Sequence, residues 1–218
     1  MPPSPFPLPG GGRGIGRGAD ISFNIMAIKP VYQKIFEKAK PFLHTRKNLI
    51  HTQIALRYAL KLLKSEKGDE GVVTPAIILH DVGWSAIPKH LQLTAFGPNP
   101  TNPKLGKVHE IEGAKIAKAI LEKFNYPPEK IKEIYKIIQG HDSRKRPISW
   151  NDRIVKDSDK LWRYSRTGME IDLGRFRIPR EEYLVFLEAI IDHWFLTPTA
   201  TKIARGEILL RKRGKPSP

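Results

Sequence analysis

The chain has 218 residues, 40% of them hydrophobic, which suffices for one sizeable core with tails. It contains no cysteine, so disulfides, thiolate metal sites and cysteine nucleophiles are excluded, and imidazole and carboxylate remain as metal ligands. The formal charge is +16, carried mostly by the body of the chain, and such a field attracts anions: nucleotides, sugar phosphates or nucleic acid.

No run approaches the ~18 apolar residues of a membrane span, and the N-terminus lacks the layout of a signal peptide. A cytoplasmic protein with no membrane partner is the expectation. Residues 1–25 are a Pro- and Gly-rich leader that cannot bury enough surface to fold, and Met26-Ala27-Ile28-Lys29 has the look of a domain start. A single domain over 26–210 should follow, then a basic tail at 211–218.

From residue 30 onward the pattern is helical. Ile54, Ala55, Tyr58, Ala59, Leu62 and Leu63 recur at helix spacing. Gly68 and Gly71 bracket a turn, after which Thr74 reads as an N-cap with Pro75 at the first helical position. Residues 84–106 hold four prolines and read as a long loop. A helix from Val108 to Phe124 follows, then one carrying Ile131, Ile134, Tyr135 and Ile138.

A basic turn at 143–149 leads to a helix over 150–164 with Ile154, Val155, Ser158, Leu161 and Trp162 as its stripe. Residues 165–179 are polar and contain glycine, and helices at about 180–196 and 198–211 end the chain. There is no alternating strand pattern and no internal repeat, so the fold class is all-α.

The chemistry lies in the histidines and aspartates. His80-Asp81 closes the apolar run Ala76-Ile77-Ile78-Leu79, which puts a carboxylate deep in the protein. A buried carboxylate needs a cation partner, either a metal ion or an arginine. His51 extends the apolar face of Ile54 and Tyr58, and His44 is a rival one heptad earlier. His109 opens the stripe that includes Gly113, where the missing side chain allows close approach of another element or a ligand. His141 lies three and seven residues after Ile138 and Ile134, so it also faces inward. Asp157 and Asp159 flank the stripe of their helix on opposite sides, and periodicity does not choose between them.

These segments together resemble the HD superfamily of metal-dependent phosphohydrolases. The matching pieces are His51, Leu79-His80-Asp81-Val82-Gly83, His109-Glu110-Ile111-Glu112-Gly113-Ala114, Gln139-Gly140-His141-Asp142, and Ile154 to Leu161. The stretch Trp194 to Ala200 resembles the ending of one bacterial and archaeal branch. The resemblance covers roughly residues 40–210 and implies an HD-domain helical bundle around a divalent ion.

It further implies that the ion is held by His51, His80, Asp81 and Asp159, the last chosen over Asp157 because it directly precedes Lys160. Asp157 would then support the site or touch substrate. His109 and His141 match positions that bind a second metal in some branches and substrate phosphate in others. Some nucleotidase branches carry a glutamate shortly after the doublet, and Val82-Gly83-Trp84-Ser85 has none.

The expected cofactor is one divalent ion or two, drawn from Mn, Mg, Ni, Co, Fe or Zn. Such an ion lowers the pKa of bound water toward ~7 and so supplies hydroxide at neutral pH. The expected activity is hydrolysis of a nucleotide or other small phosphate ester, with Asp81, His109, His141 and Lys160 as the catalytic set. Lys160, Lys89, Arg144 and Arg146 are the candidate phosphate clamps. Two alternatives stay open: a paired-iron oxygenase on the same ligands, and a basic module that binds nucleic acid through phosphates without catalysis.

Overall fold

The structure is a computed structural model and describes residues 28–97 and 100–213. Among the described residues ten α-helices run in chain order: α1 (Pro30–Ala39), α2 (Asn48–Leu63), α3 (Glu70–Leu79), α4 (Lys89–Gln92), α5 (Lys104–Glu122), α6 (Pro128–Ile138), α7 (Trp150–Leu161), α8 (Arg166–Phe176), α9 (Arg180–Trp194) and α10 (Pro198–Lys212). Short 3-10 turns follow α1, α3 and α7. No strand occurs among the described residues, so the chain is all-α. The low-complexity leader at 1–25 lies outside the described residues. Helix α10 runs on to Lys212, and Arg211, expected in a tail, is buried.

Helix α3 is the axis. Every residue from Gly71 to Leu79 is buried, and the helix packs against α1, α2, α6 and α7. A helix with apolar side chains all round can only be stable when surrounded in this way. Its far end delivers His80 and Asp81 into the centre of the molecule.

The start of α3 differs from the expected one. Asp69 is the N-cap, accepting from the Gly71 amide at 2.7 Å, so Pro75 lies inside the helix. Proline has no N–H for the carbonyl four residues back, here that of Gly71. The Tyr126 hydroxyl donates to that carbonyl instead, at 2.6 Å. Tyr126→Phe is therefore expected to lower stability by about 1–2 kcal/mol, the scale of orphaning a buried acceptor. Chemical denaturation checks this, and an unchanged midpoint would contradict it.

Two segments without an apolar stripe are nonetheless ordered. Residues 82–97 form a 3-10 turn (Val82–Ala86) and α4, pinned where Gln92 Nε2 donates to the carbonyls of Trp84 and Ile87 at 2.8 Å each. Helix α8 occupies the polar stretch. Ser165 caps it, and its Asp172 is buried and accepts from Arg163, Arg175 and Tyr183. A buried polar network holds this helix, which is why hydrophobic periodicity misses it.

Candidate metal centre

Five helices deliver the donors. His51 projects from α2, His109 from α5 and Asp159 from α7, while His80 caps α3 and His141 follows the end of α6. His80 and His141 share one local device. Each places its Nδ1 2.8 Å from the carbonyl three residues back, that of Ile77 or Ile138. A carbonyl only accepts, so Nδ1 carries the proton and Nε2 is directed at the centre. Both histidines also stand at helix C-termini, where the backbone dipole favours a cation.

Asp81 divides the donors into two sets. Its Oδ2 lies 3.6 Å from His51 Nε2 and 3.8 Å from His80 Nε2. Those nitrogens are 2.8 Å apart and lie 3.1 and 3.4 Å from Asp159 Oδ1. The other oxygen, Oδ1, lies 3.8 Å from Nε2 of both His109 and His141. That second pair is 3.3 Å apart and sits 3.5 and 3.8 Å from Asp142 Oδ2. Bonds of about 2.0–2.2 Å to one ion put neighbouring ligand atoms about 3 Å apart. His51, His80 and Asp159 therefore form one group that could hold a divalent ion, with Asp81 Oδ2 3.6–3.8 Å from its imidazoles, and Asp81 itself also groups with His80 and His141. The other face of Asp81 fits a second ion with His109 and His141, and with Asp142, which sequence reasoning had not singled out.

Charge and burial agree with this. Burial opposes ionisation of Asp81, but His80, His141, His51 and Arg46 outweigh it and hold the carboxyl well below the usual range. Burial, with His141 beside it, lowers His109 to about 4, so its imidazole is neutral. Burial also opposes charge on His141, but Asp142, Asp81 and Asp159 outweigh it and raise the ring to about 10.

A cation arriving at His141 must therefore displace a proton. Metal affinity is expected to rise with pH, by up to about tenfold per unit below about 10, with proton release on loading at neutral pH. In the metal-free protein the same proton stabilises the fold fully below the unfolded imidazole value of about 6.5, and that contribution is lost as pH rises toward about 10. Calorimetric metal titration in buffers of different ionisation enthalpy reads the protons. Loading without proton release would contradict this.

The centre is supported by residues that carry no sequence signal of their own. Trp84 Nε1 donates to Asp81 Oδ1 at 3.0 Å, and its ring stacks on His109 at 4.1 Å. Glu110 accepts from the Asp142 and Ser143 amides at 2.9 and 2.8 Å, and buried Lys156 donates to the carbonyls of Gly140 and His141. Together they fix the turn that carries His141.

The HD domain family model matches residues 48–163, which spans more than half the chain and includes every candidate ligand. The chain belongs to the HD domain family. The fold is also similar to the crystal structure of a predicted HD superfamily hydrolase from an uncultured Thermotogales bacterium, which is 19% identical. That likeness has a TM-score of 0.57 and covers 84% of this chain and 87% of the other. At that identity it concerns the fold alone. No curated protein matches the chain.

Within this HD domain several expectations are corrected. Asp157 does not support the site. It accepts from the Leu196 amide and from the amide and hydroxyl of Thr197 at 2.8–2.9 Å, and so anchors the start of α10. The Lys160 ammonium donates to the Trp194 carbonyl at 2.6 Å. Arg144 caps the end of α6 through the Lys136 carbonyl and pairs with Asp152, while Lys89 and Arg146 are exposed. His44 is exposed as well. The cations on the cavity beside the metal centre are instead Arg46, Arg163 and Arg175, with Asn48, Trp84, Phe96 and Trp162 as further walls.

No helix among the described residues is long and apolar enough to cross a membrane.

Proposed function

We propose that this HD domain is a metal-dependent phosphohydrolase acting on a nucleotide or another small phosphate ester. One observation carries the reading. Both oxygens of Asp81 face separate imidazole pairs, and that shared carboxylate opens on a cavity walled by Arg46, Arg163 and Arg175. A divalent ion held by His51, His80, Asp81 and Asp159, with a second against His109 and His141, would polarise a phosphoryl oxygen and acidify a bound water.

The protein's own groups do the rest. His80 and His141 keep Nδ1 protonated and aim Nε2 inward, and Trp84 fixes the plane of Asp81. The arginines supply positive charge where phosphoryl oxygens gather it in a transition state. No glutamate follows the doublet. Half-exposed Asp142, with Oδ2 3.5 Å from His109, stands at the cavity wall beside the second imidazole pair. The three arginines favour a phosphate over oxygen activation at paired iron. A buried donor cluster beside a cavity favours a small substrate over nucleic acid.

The test is a screen of purified protein against phosphomonoesters, nucleotides and cyclic dinucleotides, with Mn, Mg, Ni, Co, Fe and Zn supplied in turn. Turnover of at least one ester should appear only with metal and vanish with chelator. Metal-loaded protein that turns over none of them would sink the proposal.

A further inference from the structure

Arg46 stands in the turn before α2 at φ +53°, followed by Lys47 at +63°. Its guanidinium carbon lies 3.9 Å from the ring centroids of both Trp84 and Phe96, which are 5.8 Å apart and tilted by 60° to each other. Its Nε and Nη1 are buried and without a hydrogen-bond partner. The other two cavity arginines are already engaged. Arg163 Nη1 donates to Asp172 Oδ2 at 2.8 Å, and Arg175 donates to Asp172 Oδ1 at 3.1 Å and to the Arg46 carbonyl at 2.9 Å. Among the described residues Arg46 alone lines the cavity as a guanidinium with no hydrogen bond from its side chain.

A buried guanidinium with open donors is costly unless an acceptor completes it. The nearby carboxylates, Asp81 and Asp142, do not supply that acceptor. Both belong to the donor clusters that a metal ion would neutralise. A loaded centre therefore leaves the cavity in need of an anion. Trp84 and Phe96 pack against neighbouring sides of the guanidinium, and a guanidinium that makes no hydrogen bond of its own can pair with two oxygens of one phosphate. The cavity holds about 60 Å³. That is several times the ~10–15 Å³ occupied by one water probe, the scale of a phosphoryl group and too small for a nucleoside.

We infer that Arg46 clamps the terminal phosphoryl group of a phosphomonoester, with the rest of the substrate outside the cavity. This rests on the phosphohydrolase reading. Arg46 would bind and orient the phosphate, and it takes no part in holding metal.

The test measures inorganic phosphate binding by calorimetry to the Mn-loaded full chain, alongside metal content and steady-state kinetics on the best phosphomonoester. Arg46→Gln should weaken phosphate binding roughly 10- to 100-fold, the scale of a lost charge-assisted pair, and raise KM comparably at unchanged metal content. Arg46→Lys keeps the charge without the fork and should fall between the two. It also serves if the glutamine variant does not fold.

A folded variant with wild-type phosphate affinity and KM overturns the role of Arg46 while leaving the hydrolase reading intact. Wild-type protein that hydrolyses only diesters overturns the phosphomonoester class. Wild-type protein that neither binds phosphate nor turns over any ester removes both.

Discussion

Asp81→Ala should abolish metal-dependent turnover, a loss on the order of a thousandfold or more, while the helical fold persists. The expectation follows from geometry. Asp81 is the only side chain whose two oxygens face both imidazole pairs among the described residues, so its removal takes a ligand from each. Asp81→Asn separates shape from charge. It keeps an oxygen for the Trp84 indole, now 3.0 Å from Oδ1, and loses the anion. Metal content by elemental analysis should fall in both variants, with far-ultraviolet dichroism unchanged. Either variant retaining full metal and full turnover after chelation and re-addition would remove Asp81 from the centre.

Gly83→Ala is expected to be strongly disruptive for a single methyl group. A Cβ at Gly83 would lie 1.9 Å from the His109 carbonyl oxygen and 2.4 Å from the Gly113 amide nitrogen. Both obstacles are backbone atoms of α5, so neither can step aside as a flexible side chain would. The cost should be about 3 kcal/mol or more, at the upper end of overpacking. His109 must move with it, so metal binding should suffer too.

Gly113→Ala is the control. Its Cβ would meet Gly83 and the His80 carbonyl at 3.3–3.5 Å, and alanine favours the helix by ~1 kcal/mol. The two should nearly cancel. Thermal melting of both variants decides the matter, and equal stabilities would refute the close packing of the turn after α3 on α5.

Much of this was legible in the chain because the informative residues are chemically improbable where they occur. A His-Asp doublet ending an apolar helix has few structural explanations, and the buried position of Asp81 bears this out. Inward histidines at 51, 109 and 141 follow from helical spacing, and all three are buried. What spacing could not do was choose Asp159 over Asp157. The resemblance made that choice, and the Thr197 turn is the physical reason Asp157 is engaged elsewhere.

Lys89, Arg144, Arg146 and Lys160 do not line the cavity, because a lysine or arginine in sequence carries no sign of what it touches. Arg46 lies five residues before His51 in a turn without hydrophobic signal, and only its packing against Trp84 and Phe96 at the cavity draws attention to it. Helix α8 escaped for the related reason that Asp172, a charged residue, serves as its buried anchor.

The most direct test of the central claim is a crystal of the full chain grown with Mn and examined by anomalous scattering at the manganese edge. Two peaks should flank the Asp81 carboxylate, one among His51, His80 and Asp159 and the other against His109 and His141. No anomalous peak within bonding distance of Asp81 at saturating Mn would contradict the account.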